Sequence, residues 1–116
     1  MSFLKGLFGG ARPPVKSEDC VKVHFKLSDG EYGSEEERDA VHGFTDRLDA
    51  LIREHDAGEF DGDEFGGGEG TLFMYGPDAD RLYEAVLPAL KSWAKLKGGY
   101  VIKRYAEPER SVRIDF

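Results

Sequence analysis

Three histidines, one cysteine and a run of carboxylates are the residues with which this chain can do chemistry. The run is Asp61-Gly62-Asp63-Glu64-Phe65-Gly66-Gly67-Gly68-Glu69, and carboxylates on a glycine-rich loop suit a hard cation that wants several oxygen ligands. Read as a calcium loop from Asp61, the pattern breaks at its fifth position, which is Phe65. It breaks again at the twelfth, where a glutamate is needed and Leu72 stands. The carboxylates read better as charges that keep an edge strand from pairing with another chain. Gly66-Gly67-Gly68 is no phosphate cradle either, because it joins two strands instead of opening a helix and brings no lysine. His42 is expected to meet Asp46 one helical turn on, a routine surface pair. His55 belongs to a helix C-terminus, where a partly charged imidazole suits the dipole. His24 belongs to a strand. None of the three has a serine or cysteine nucleophile set beside it by the sequence pattern, so no catalytic residue, metal ligand or cofactor site is assigned and no enzyme is expected. Cys20, at the start of a strand, reads as a small buried residue.

Bulk properties narrow the classes further. A chain of 116 residues is one domain's length and sustains one core. With a single cysteine it forms no intrachain disulfide and no cysteine-based zinc site, which favours a reducing compartment. No apolar run approaches the roughly 20 residues that span a bilayer, and the first residues lack the pattern of a secretory signal, so a cytoplasmic protein is expected. The formal charge of −7 argues against nucleic acid as a partner, but the charge is uneven. Residues 28–64 hold 14 acids against 3 bases, whereas residues 91–113 hold 7 bases against 2 acids. Such clustering sets up a field that steers an oppositely charged partner.

These residues must be positioned by elements, and the elements are legible. Phe3, Leu4, Leu7 and Phe8 fall at helical spacing ahead of Gly9, Gly10, Pro13 and Pro14. Residues 1–19 therefore read as a flexible or amphipathic segment, with residues 1–8 a possible foot for a membrane surface or a partner's groove. Residues 20–116 read as the domain. Val21 to Leu27 alternates apolar and polar as a half-buried strand does. Ser28 to Gly33 is a loop, and Ser34 with Glu37 makes a capping box for a helix whose stripe is Val41, Phe44, Leu48, Leu51 and Ile52, ending near His55–Gly58. Gly43 within that helix suggests close contact with the sheet. Glu59–Phe65 is a short acidic strand with Phe60 and Phe65 turned inward, and Thr71–Tyr75 returns as a central strand. Asp78 caps a second helix with a stripe of Leu82, Val86, Leu87, Leu90, Trp93 and Ala94, containing Pro88 and ending at Gly98-Gly99. Tyr100–Tyr105 and Ser111–Phe116 are the last strands, joined by a turn with Pro108.

The order β-α-β-β-α-β-β, with right-handed crossovers, matches a ferredoxin-like α+β sandwich: an antiparallel sheet of order 5-4-1-3-2 with both helices on one face. The other face is left open. If Val21, Val23, Phe25 and Leu27 face the helices, Lys22, His24 and Lys26 face outward. On the third strand either Thr71, Phe73 and Tyr75 or Leu72 and Met74 join them, since alternation alone does not choose. Lys103, Tyr105 and Arg113 are assigned to the same open face. Cations among aromatics on a sheet resemble a nucleobase-stacking platform, but Gly70–Tyr75 lacks the expected motif and the chain is acidic. A protein partner, or a second copy, is the better expectation. A second candidate surface is acidic: Glu35, Glu36, Asp39, Asp61, Asp63 and Glu64. The alternative function is a small-molecule sensor that uses residues 29–34, by analogy with ACT-type regulatory domains.

The stretches Gly58–Glu69, Leu72–Asp80 and Gly99–Tyr105 resemble a small bacterial family of uncharacterised function. The resemblance covers roughly residues 20–116. It implies a ferredoxin-like α+β fold and no established activity, so it transfers no catalytic residues.

Overall fold

The computed structural model describes residues 18–116. The segment before them, including the foot read from Phe3 to Phe8, lies outside the described residues. The elements are β1 (Asp19–Lys26), α1 (Glu35–Glu54), β2 (Glu59–Gly66), β3 (Glu69–Gly76), α2 (Ala79–Ser92), a 3-10 turn (Ala94–Leu96), β4 (Tyr100–Ala106) and β5 (Glu109–Asp115). The five strands form one sheet of order β2-β3-β1-β4-β5 in which every neighbouring pair is antiparallel. That is the expected order, and the two helices pack on one side of it.

Parity explains why one side is dry. Val21, Val23 and Phe25 alternate along β1 and are at most 1% exposed; cross-strand pairing sets Val21 against Met74 and Val23 against Leu72 and Val101, all fully buried. Against them α1 lays Val41, Phe44, Leu48 and Ile52, and α2 lays Leu82, Val86 and Leu90. Burying an aliphatic side chain of this size contributes about 1.5–3 kcal/mol, so this layer is the main source of stability. Phe60 and Phe65 both reach it although five positions separate them, an odd number that would put them on opposite faces of a regular strand. A bulge between Phe60 and Gly62 resets the parity.

Three local expectations change. Glu37 does not close a capping box onto Ser34. Ser34 accepts from the Glu37 N–H at 3.0 Å, but the Glu37 carboxylate takes the Ser28 N–H at 3.0 Å, the Ser28 hydroxyl at 2.8 Å and the Lys95 ammonium. It thereby ties the loop before α1 to the segment after α2. Gly43 is exposed, and a Cβ there would meet nothing within 4 Å, so it marks no close approach to the sheet. Finally, α2 stops at Ser92, short of Gly98. Trp93 turns extended (φ −93°, ψ 102°) to stack on Phe44 with ring centroids 3.9 Å apart, leaving Ala94 exposed and Leu87 half-buried. The stripe of α2 is therefore Ala79, Leu82, Ala85, Val86, Ala89 and Leu90. No helix among the described residues is long and apolar enough to cross a membrane.

Candidate functional site

Pairing register decides which side chains share the outer sheet face. Lys22 stands opposite Phe73 on one side and Ile102 on the other, and Ile102 stands opposite Arg113. One position pair further on, His24 lies between Thr71 and Tyr100. With Leu72 and Met74 in the core, Thr71, Phe73 and Tyr75 take the outer face, and the open choice on β3 is resolved. Lys22, His24, Lys26, Phe73, Tyr75 and Arg113 are thus placed together as the sequence suggests. Among these, Tyr75 is only 2% exposed, and so is not open to solvent.

The contacts give this face a defined surface. Lys22 holds its ammonium 5.9 Å from the centre of the Phe73 ring. The His24 imidazole stacks on Tyr100 with centroids 4.5 Å apart, and the Arg113 guanidinium lies 3.8 Å from the same Tyr100 ring. Arg113 also donates through Nε to Asp115 at 2.9 Å. His24 Nδ1 is 3.2 Å from the Thr71 hydroxyl and 3.6 Å from Glu69. Burial pushes the His24 pKa below its usual 6.5, helped by Lys22 and Arg113, while Glu69 pulls the other way. The arrangement favours a neutral, oriented imidazole that presents its ring edge and its stacked neighbours.

Lys103 and Tyr105 are corrected: they are not on this face. Lys103 pairs with Val21 across the β1–β4 ladder and so points toward the helices. There its ammonium donates to Asp80 of α2 at 2.8 Å, and the Tyr105 hydroxyl donates to the same oxygen. Burial alone would lower the Lys103 pKa, but the bonds to Asp80 and Tyr105 outweigh it and hold the group above 10.5. Asp80 in turn sits below its usual 3.8, through the Lys103 bond first and Tyr105 second. These residues fasten α2 to β4. The outer positions of β4 are Tyr100, Ile102 and Arg104, which sequence reasoning missed. Tyr100-Val101-Ile102 is an unbroken apolar run, and only the burial of Val101 fixes which residues turn out.

The acidic set is corrected as well. Glu35, Glu36 and Asp39 are exposed on the first turns of α1, but Asp61, Asp63 and Glu64 of β2 do not extend them into one surface. Asp63 pairs with Leu72 on the helix side and meets His42 Nε2 at 3.2 Å, whereas Glu64 pairs with Thr71 and faces outward. His42 therefore bonds across to β2, where the sequence pointed to Asp46. Asp61 sits at the bulge, half-buried. Cys20 is buried, as read. Among the described residues no three His, Cys, Asp or Glu side chains are placed to hold a metal ion.

A second feature adjoins the outer face. An open depression of about 400 Å³ lies between the loop before α1 and the β2–β3 hairpin, lined by Tyr32, Glu64, Phe65, Gly66, Glu69 and Thr71. The loop is held there by the Leu27 N–H donating to Gly68 O at 2.9 Å and the Gly68 N–H donating to Glu31 O at 2.8 Å. Comparison with protein-family models, with curated proteins and with solved structures finds no match.

Proposed function

We propose that this domain works without catalysis, by binding a protein partner through the sheet face turned away from its helices. The observation that carries the reading is the cluster of His24, Tyr100 and Arg113 beside Lys22 and Phe73, assembled by register on a face that no described helix covers. Aromatic and arginine side chains are the types that anchor protein interfaces, and cations held over rings are already oriented before a partner arrives. Lys22, Lys26, Arg104 and Arg113 suit a partner segment rich in carboxylates. We read the β2-β3-β1-β4 core as ferredoxin-like with β5 added, and the cytoplasm as the working compartment on the strength of one buried thiol.

The test is capture of partners by the full chain, with crosslinks mapped to residues. Lys22→Glu with Lys26→Glu is expected to abolish capture, while Glu35→Lys with Glu36→Lys leaves it intact. The reverse pattern moves the interface to α1 and overturns the reading.

One observation favours a second reading, a sensor for a small cation. Tyr32, which is 61% exposed, and Phe65 stand with Glu64 and Glu69 around the depression, and rings with carboxylates suit an ammonium or guanidinium group. A ligand present at 100 times its Kd stabilises by about 2.7 kcal/mol. A panel of amines, amino acids and guanidinium compounds that leaves Tm unmoved sinks this alternative.

A further inference from the structure

The two edges of the sheet are built differently. β2 carries a bulge between Phe60 and Gly62 and the carboxylates Glu59, Asp61, Asp63 and Glu64. Bulges and charges of one sign are the means by which proteins keep an edge from pairing with another chain. β5 has neither guard. It pairs with β4 residue for residue from Glu109 to Asp115, its charges are of mixed sign, it contains no proline, and Val112 is 36% exposed. No described strand lies beyond it.

We propose that β5 pairs antiparallel with β5 of a second copy, about a two-fold axis at Ile114, to make one ten-stranded sheet. Residues opposed across such a pair lie on the same face, so the axis must pass through a residue, and charge chooses which one. Centred on Val112, the pairing sets Glu109 against Asp115. Centred on Arg113, it sets guanidinium against guanidinium. Centred on Ser111, it draws Glu107 toward Asp115 and Pro108 into the ladder. Only the pairing centred on Ile114 agrees on both faces. It opposes Arg113 to Asp115 twice on the outer face, and Ile114 to Ile114 and Val112 to Phe116 on the helix face. Phe116 continues the strand, since its N–H donates to Gly99 O at 3.0 Å. A two-fold axis normal to the sheet keeps both outer faces on one side, so two His24–Tyr100–Arg113 clusters would flank the seam. The pairing stands independently of the partner reading, whose capture experiment does not depend on it.

Sedimentation of the full chain over a wide concentration range is expected to show a reversible dimer. Arg113→Glu alone should raise the dissociation constant at least tenfold by opposing two carboxylates, and Arg113→Glu with Asp115→Arg should restore it. In a Cys20→Ser background, Ile114→Cys should crosslink to itself on oxidation while Ser111→Cys should not, because only the first pair lies within disulfide reach. A chain that stays monomeric at millimolar concentration and low salt overturns the proposal. So does a dimer indifferent to both charge changes.

Discussion

Glu37 shows how much one carboxylate can organise. It accepts from Ser28 and Lys95, and only 8% of its side chain is exposed. The Lys95 bond, then the Ser28 hydroxyl, hold it below its usual 4.5. The unfolded chain therefore binds this proton more readily than the folded one. Its contribution is present above pH 4.5 and is lost as pH falls through the lower folded value. Glu37→Ala should cost about 1–2 kcal/mol in urea unfolding at neutral pH and less in acid. An equal cost at both pH values would show that the charge is not what matters. His24 has the same sign of linkage: its pKa is lowered by burial, so the neutral form stabilises the fold above pH 6.5, and that contribution fades on acidification. NMR titration of the imidazole should give a midpoint below 6.5, and Tyr100→Ala, by opening the stacked side to water, should raise it. What sequence could not supply at this scale was the partner across space. Ser34 to Glu37 spells a capping box, and nothing local says that Lys95 competes for the acid.

At the scale of elements, α1 and the first strand were readable because their periods are clean, whereas β4 and the end of α2 were not. Tyr100-Val101-Ile102 has no alternation, so nothing local shows that Lys103 and Tyr105 turn toward the helices. The Ala94–Leu96 turn follows from Trp93 finding Phe44 and Phe25, at 3.9 and 4.9 Å, a tertiary choice that overrides the helical pattern. Two glycines test the geometry in opposite directions. Gly43 lies inside α1 with open space around it, so Gly43→Ala should stabilise by about 0.5–1 kcal/mol, read as a higher urea midpoint with an unchanged slope. Gly70 is covered by the Phe25 ring, and a Cβ there would fall 2.3 Å from that ring. Gly70→Ala should therefore destabilise by about 1–3 kcal/mol, because the ring sits in a packed core and has to shift. Similar effects at the two sites would mean that the contact between β1 and β3 is misassigned.

For the whole molecule, topology was legible where chemistry was not, and the reason is physical. Few arrangements of five strands and two helices satisfy right-handed crossovers with one buried face, so the order follows from the elements. The membership of the outer face obeys no such closure rule: Tyr100, Ile102 and Arg104 join it only through the burial of Val101 in the middle of the sheet. The same topology places the first strand at the centre, bonded to β3 and β4, with Asp19 opposite Gly76. Asp19 adds a strap, accepting the Ala79 and Ala106 N–H groups at 2.9 Å each. β1 therefore cannot open without parting the sheet, whereas β5 lies at an edge with most residues exposed. Amide exchange should place β1 and β3 at the free energy of global unfolding, with β5 several kcal/mol below it at low concentration. If β5 amides exchanged as slowly as β1 in a dilute monomer, the sheet would not open from its edge. If β1 opened as easily as β5, the central strand would not be what holds the layers together.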